Sequence, residues 1–222
     1  IELTEQEFLG AIDVVIRTIE SYDTTTVRAS VGNYLVAKYI KEHSDCKVVF
    51  NGDYSDEVCG GYKYMSFCDD EDEFHTECVR LVEDIQWFDS LRSDRCVSSH
   101  GLEARVPFAD KEFVALYKSI PVKMRLSNER IEKYMLRKAF EKDDIIPHEV
   151  LWRKKEAFSD GVSSKENSWH IILKKYIEEQ LSDIEYEEIK LDAINPPVLK
   201  ETAYYKKIFK KYFQFDGIVP YY

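Results

Sequence analysis

The stretch Asn51-Gly52-Asp53-Tyr54-Ser55-Asp56-Glu57-Val58-Cys59-Gly60-Gly61-Tyr62 gathers three carboxylates, a hydroxyl and three glycines. It follows Lys47-Val48-Val49-Phe50, a short β-branched run that reads as a buried strand. In open α/β sheets, ligands bind beyond the carboxyl ends of the strands, where glycine lets the backbone approach a phosphate. Carboxylates in that place suit a divalent metal bridging phosphate oxygens. The competing reading is a polar strand-to-helix turn in which Ser55 or Asp56 caps a helix.

The elements that must position these groups are mostly helical. Thr4-Glu5-Gln6-Glu7 reads as a capping box opening a helix over residues 5–20, with Phe8, Ile12, Val15, Ile16 and Ile19 on one face. A second helix is expected from Asp23 to about Lys41, burying Val27, Val31, Leu35 and Tyr39. Thr25 and Arg28 sit i,i+3 near its start, where free amides and the helix dipole favour anions. The alternative there is a capping threonine beside a surface arginine. Residues 73–97 have helical spacing, with Val79, Val82, Ile85, Trp87, Phe88 and Leu91 inward. Asp110 reads as an N-cap rather than a ligand, for a helix ended by Pro121. Further helices are expected over 129–141, in a short turn after Pro147, over 167–181 and over 200–213. Residues 154–164 read as an ordered loop. The aromatic cluster Tyr204, Tyr205, Phe209, Tyr212 and Phe213 reads as core packing. Seven or eight helices thus stand against one strand. One strand makes no sheet, so its neighbours are expected upstream of Ile1 or on another chain.

The chain has 222 residues, 44% hydrophobic and 33% charged, with a net charge of −11. That length suffices for one core and a smaller satellite. The acidity argues against nucleic acid or an anionic membrane as the main partner. The acidic runs at 69–73 and 185–188 read as solvated surface. Five cysteines, an odd number without metal spacing, suit reduced thiols in the cytoplasm. His75 and His100 likewise lack metal-ligand spacing. No apolar run approaches the ~20 residues that span a bilayer. A chain opening on Ile1 is expected to be a piece of something longer.

The glycine-rich segment resembles the Ser-Gly-Glu-Gly-Ser-Asp-Glu-x-Phe-Gly-Gly-Tyr signature of asparagine synthetases. Three more blocks match that family in order: Asp23-Thr24-Thr25-Thr26-Val27-Arg28-Ala29-Ser30, then Gly101-Leu102-Glu103-Ala104-Arg105-Val106-Pro107-Phe108-Ala109-Asp110, then Trp152-Arg153-Lys154-Lys155-Glu156-Ala157-Phe158-Ser159-Asp160-Gly161-Val162. The resemblance implies an α/β fold, a doubly wound parallel sheet of the adenine nucleotide α-hydrolase-like type. Within it, this chain would be a mostly helical C-terminal part of the synthetase domain, residues 1–222, with one clear parallel strand. It also implies ATP-dependent amidation of aspartate by ammonia through a β-aspartyl-AMP intermediate, with magnesium (Mg2+) as a cofactor beside ATP. By position, Asn51 and Gly52 stand where the family contacts ATP. Asp53 stands where a glutamate serves the adenylate, and Asp56 where an aspartate holds magnesium and pyrophosphate. Thr25, Arg28 and Lys155 stand where a threonine, an arginine and a lysine act on pyrophosphate. Glu103 and Arg105 either pair structurally or help bind the amino acid.

Two positions depart from the pattern. Asp53 for Glu shortens the side chain by about 1.5 Å, and misplacement of ~1 Å can cost on the order of a hundredfold in rate. Tyr54 for Gly matters if that backbone position has positive φ. Asn51 for Ser is milder. A degenerate homologue that binds nucleotide or a partner without turnover, or a β-lactam synthetase-like relative, therefore remains an alternative. The family's Ser-Gly-Gly-x-Asp-Ser loop and its glutamine-hydrolysing N-terminal cysteine do not occur in residues 1–222. The ATP site is therefore expected to need an upstream PP-loop and glutaminase portion or a partner subunit. The resemblance also leaves a homodimer open.

Overall fold

Thr4 opens the first helix as its spacing predicts: its hydroxyl accepts the Glu7 amide at 3.2 Å, and the Glu7 carboxylate takes the Thr4 amide at 2.7 Å. The computed structural model describes residues 1–126, 131–143, 145–156, 168–191 and 194–215. The helix expected over 5–20 is two, α1 (Glu5–Gly10) and α2 (Ile12–Ile19). Gly10 weakens the helix at that point, and the break turns Ile12, Val15, Ile16 and Ile19 fully inward. Next come α3 (Thr24–His43), β1 (Val48–Phe50), α4 (Ser55–Cys59), α5 (Glu71–Asp84), a 3-10 turn at Ile85–Trp87 and α6 (Asp89–Ser98). They are followed by β2 (Glu103–Arg105), α7 (Lys111–Ser119), α8 (Val122–Arg125), α9 (Tyr134–Phe140) and α10 (His148–Leu151). The chain continues through α11 (Trp169–Gln180), α12 (Asp183–Lys190) and α13 (Lys200–Tyr212).

Several expectations need correction. The strand is not buried: Val48 is 42% and Phe50 75% exposed. It pairs in parallel with β2, through Glu103 N–H to the Lys47 carbonyl at 2.7 Å and Asn51 N–H to the Arg105 carbonyl at 3.0 Å. The second strand escaped notice because three residues with two charged ends carry no β-branched run. Among the described residues these two strands are the whole sheet.

The helix expected over 129–141 starts only at Tyr134, because Lys133 stands at φ 55°. Residues 127–130 lie outside the described residues, as does most of the expected loop after Glu156. The stretch 73–97 is interrupted at Ile85–Trp87, and Trp87 is 38% exposed. Ile85 is buried as expected, and Phe74, Cys78, Cys96 and Val97 are buried with it. Helix α12 was read only as acidic surface. It has a Ser182–Glu185 capping box but buries no residue, so no apolar stripe betrays it. Asp110 does cap α7, accepting the amides of Glu112 and Phe113.

The described chain forms two compact units. The first comprises Ile1–Val48, Ser90–Ala104 and Glu156–Tyr222. In its core α13 packs on α2, α3, α11 and α12, burying Val15, Val27, Val31, Leu173, Tyr205 and Phe209. Tyr22 meets Phe209 edge to face at 5.1 Å, and Phe8 meets Trp169 in the same way at 5.2 Å. The aromatic C-terminal cluster is thus core, except that Tyr212 is exposed. The second unit comprises Val49–Asp89 and Arg105–Lys155. There α4 packs on α5 and α7, with Val58, Cys59 and Tyr117 at one centre and Met65, Phe74 and Cys78 at another.

A buried ion pair ties α3 to α13 within the first unit. Arg28 donates through Nε to Glu201 at 2.6 Å and through Nη2 to the other carboxylate oxygen. Glu201 is buried and also accepts the Tyr205 hydroxyl at 2.9 Å. Removing one partner of such a pair leaves an uncompensated charge in a low-dielectric setting. Glu201→Ala should therefore cost about 3 kcal/mol in urea unfolding followed by circular dichroism; a loss below about 0.5 kcal/mol would show that the pair contributes little.

Candidate active site

The turn after β1 is held by its own backbone and by Asn51. The Asn51 side-chain carbonyl accepts the Asp53 amide at 3.2 Å, and the Ser55 amide reaches the Gly52 carbonyl at 3.4 Å. This is the local geometry an Asn offers in place of regular structure. Tyr54 takes the left-handed backbone, φ 70° and ψ −14°, and stands at the N-cap of α4 without a side-chain cap. A non-glycine residue there costs roughly 1–2 kcal/mol. Its ring packs against the cluster of Val58, Cys59 and Tyr117, which offsets that cost. The positive φ thus falls on Tyr54, where the family signature has glycine. A Cβ at Gly52 would meet nothing within 4 Å. Neither Ser55 nor Asp56 caps α4.

The two glycines that end α4 are required for different reasons. Gly60 adopts φ 64°, and a Cβ there would overlap the Phe74 ring. The next amide, Gly61 N–H, returns to the Asp56 carbonyl at 2.7 Å and closes a Schellman-type end. A Cβ on Gly61 would overlap the Asp56 carboxylate and the Lys133 stem, and would lie 2.9 Å from Asp56 Cα. The bare backbone at Gly61 is what lets Asp56 and Lys133 meet.

Asp56 sits between two lysines. Lys133 Nζ is 2.8 Å from Oδ1 and Lys155 Nζ is 3.0 Å from Oδ2. The side chains are 19% (Lys133), 20% (Lys155) and 26% (Asp56) exposed. Lys133 also donates to Ser55 Oγ at 2.8 Å. Lys155 donates to the Gly61 carbonyl at 3.0 Å and lies 4.6 Å from the centre of the Tyr62 ring. Burial disfavours the charge of Asp56, but the two ammonium groups outweigh it and hold the carboxyl below its ordinary range. Arg137 fastens the segments bearing both lysines: it donates to the Glu132 carbonyl at 2.9 Å, to the Arg153 carbonyl at 3.0 Å and to the Leu151 carbonyl. One carboxylate between two cations leaves a local surplus of positive charge, suited to an anion with several oxygens.

The same geometry bears on magnesium. Asp53, Asp56 and Asn51 are the hard oxygen donors that magnesium prefers. Both Asp56 oxygens, however, already face ammonium groups, and no group of three His, Cys, Asp or Glu among the described residues could hold a metal. As they stand, these side chains do not fit a magnesium ion at Asp56, which would meet two like charges.

Beside this cluster lies a buried carboxyl pair. The Tyr62 hydroxyl donates to Glu57 and approaches Asp89 Oδ2 at 3.4 Å. Burial chiefly pushes the Glu57 carboxyl up to about 7, with the charge and hydrogen bond of Asp89 adding and the Tyr62 hydroxyl opposing. The charged form of Glu57 is thus disfavoured while its carboxyl accepts from Tyr62.

Of the residues singled out from the sequence, Asp56 and Lys155 meet directly, and Asn51, Gly52 and Asp53 form the adjoining turn. Thr25 and Arg28 belong to the first unit. Thr25 is exposed in the first turn of α3, where Asp23 rather than a threonine is the cap, accepting the Thr26 amide at 2.7 Å. Arg28 is not a free surface arginine, since Glu201 takes it in two hydrogen bonds. Sequence reasoning missed Lys133, Arg137, Glu57 and Tyr62. The one hint for Lys133 was a lysine just before an apolar helical pattern, where Ser, Asp or Asn usually stands.

Glu57 yields a pH prediction. A carboxyl raised from 4.5 to about 7 in the folded chain contributes stability that is present below pH 4.5 and lost as pH rises through 7. Glu57→Gln keeps both hydrogen-bonding roles without the charge. Urea unfolding at pH 8 should find it more stable than the parent by on the order of 1–3 kcal/mol, with the gap closing toward pH 5. A gap independent of pH would refute the raised Glu57 carboxyl.

The asparagine synthase family model matches residues 1–69 and 66–214. The asparagine synthetase [glutamine-hydrolyzing] of Gallus gallus is 45% identical over 209 residues, 94% of this chain and 37% of the Gallus gallus protein. The Homo sapiens protein of the same name is 44% identical over 209 residues, with the same coverage, and the Bos taurus protein 45%. The chain thus spans 37% of the length of these relatives. With the signature turn, the lysine-bearing loop and this similarity along nearly all its length, the chain belongs to the asparagine synthase family.

Proposed function

We propose that residues 1–222 are the C-terminal part of an asparagine synthetase domain, and that the complete protein amidates aspartate to asparagine at the expense of ATP. The aspartate side-chain carboxylate attacks the α-phosphorus, the bond to pyrophosphate breaks, and β-aspartyl-AMP results. Ammonia then displaces AMP at the activated carbonyl. The observation that carries this reading is the lysine pair on Asp56 inside a family signature. Departing pyrophosphate accumulates negative charge, and fixed cations in a partly dry site stabilise it. Lys155 and Lys133 would exchange Asp56 for phosphate oxygens. Asn51 and Gly52 would contact ATP, and Asp53 would face the reacting carboxyl group. Thr25 and Arg28 would bind pyrophosphate, with Glu201 holding the arginine in place. Magnesium is expected with ATP, and Asp56 would meet it only by giving up a lysine.

The rest of the ATP site, and further strands beside β1 in a doubly wound sheet, would come from an upstream PP-loop portion or a partner subunit. The exposed faces of Val48 and Phe50 support that reading. The names of the relatives favour glutamine as the nitrogen source, through a glutaminase portion. We place the protein in the cytoplasm, with a homodimer as one candidate assembly. No described helix is long and apolar enough to cross a membrane.

One observation favours a second reading. Tyr54 holds a left-handed backbone position where the signature has glycine, beside the shortened Asp53. A homologue that binds nucleotide without turnover would carry such changes. In the complete protein, ATP, aspartate and ammonia should yield pyrophosphate and AMP, and Lys155→Ala should lower that rate by on the order of 100-fold or more. ATP binding with no AMP formed, and activity appearing on Asp53→Glu with Tyr54→Gly, would instead establish the second reading. Release of pyrophosphate with another carboxylic acid but not aspartate would point to a β-lactam synthetase-like relative.

A further inference from the structure

Among the described residues the Lys155 ammonium group meets two oxygen partners and an aromatic face: the Tyr62 ring, 4.6 Å from Nζ to its centre. Within this distance a ring quadrupole attracts an ammonium group, more strongly where water is excluded. The ring is itself fixed. The Tyr62 hydroxyl donates to Glu57, which is buried on α4 one residue after Asp56. The Tyr64 ring stacks with it at 6.0 Å, with ring planes 15° apart. The backbone carbonyl before Tyr62, that of Gly61, also accepts from Lys155. Helix α4 and the residues just after it therefore present Lys155 with a carboxylate, a carbonyl and a ring, each set by local geometry. A phenol that donates to a carboxylate gains electron density in its ring, which strengthens the attraction for the cation.

We propose that Tyr62, through its ring, is a positioning residue for Lys155. Asp56 is the partner that an incoming anion must replace, since the carboxylate and a phosphate compete for the same two ammonium groups. Tyr62 is neutral and needs no replacement. Its ring keeps the ammonium group aimed while the carboxylate lets go. A lysine stem has many rotamers, and an aromatic wall reduces the number it must lose when it meets its ligand. The function assigned to Lys155 rests on the reading proposed above; its placement by Tyr62 does not.

The test has two arms. In the first, the chain is acetylated briefly with limiting acetic anhydride, and modification at each lysine is read by mass spectrometry. Lys155 should react several-fold faster in Tyr62→Leu than in the parent and within about twofold of it in Tyr62→Phe, which keeps the ring. Lys38 and Lys190, exposed in the first unit, serve as internal references. Circular dichroism melts confirm that each variant is folded. In the second arm, pyrophosphate release by the complete protein should show kcat about tenfold lower in Tyr62→Leu, KM for ATP changed less, and most of the rate restored in Tyr62→Phe. Equal labelling of Lys155 in all three proteins would overturn the proposal, as would Phe and Leu variants equally impaired in both arms. A parent protein that releases no pyrophosphate would count against the proposed function, while the labelling arm would still decide the placement of Lys155.

Discussion

A carboxylate shared by two ammonium groups is the interaction on which the second unit depends. Asp56 projects from a helix of only five residues, Ser55–Cys59, and reaches lysines that follow it by 77 and 99 positions in the chain. Neither lysine is on a long element. Lys133 stands in a left-handed turn, and Lys155 follows the short helix α10. A compact cation on a flexible stem has to be held from outside, and here the holding is done by Asp56, by Ser55, by the Gly61 carbonyl and by Arg137, which ties down both lysine-bearing segments. The arrangement puts positive charge where an anion could take it without first paying to gather the cations.

The backbone around Asp56 makes the cluster possible. Tyr54 and Gly60, at either end of α4, both have positive φ, so the helix is bounded by two left-handed residues. One is held there by ring packing, the other by the absence of a Cβ that Phe74 would not admit. Gly61 then brings the chain back so closely over Asp56 that only hydrogen fits. Such positions concentrate where a side chain must be aimed. The buried Glu57, which turns the other way from Asp56, anchors the wall against which Lys155 rests.

The first unit solves a different problem. Its core is apolar and aromatic, closed by α13 against four other helices. Inside it Arg28 pairs with Glu201, which also accepts from Tyr205. That pair joins a residue near the start of α3 to the first turn of α13, 173 positions away. An arginine with two of its donors committed in this way is stiff, and a stiff guanidinium suits recognition of planar or tetrahedral oxyanions.

The sequence by itself determined much about this protein. The capping box at Thr4, Asp110 as a cap, the long α3 and the inward faces of α2 and α13 were all legible, because each rests on interactions within a turn or two. The signature around Asp56 and the loop bearing Lys155 were legible through resemblance. Only the tertiary structure decided that Asp56 and Lys155 touch, that Lys133 and Tyr62 complete the cluster, that Arg28 belongs to Glu201, and that β1 is exposed. Those outcomes depend on which distant segments come to lie together, and neither spacing nor composition carries that information. Helix α12 and strand β2 fell between the two. They are local elements, but their residues bury too little to leave a hydrophobic period, and it is burial that writes the period into a sequence.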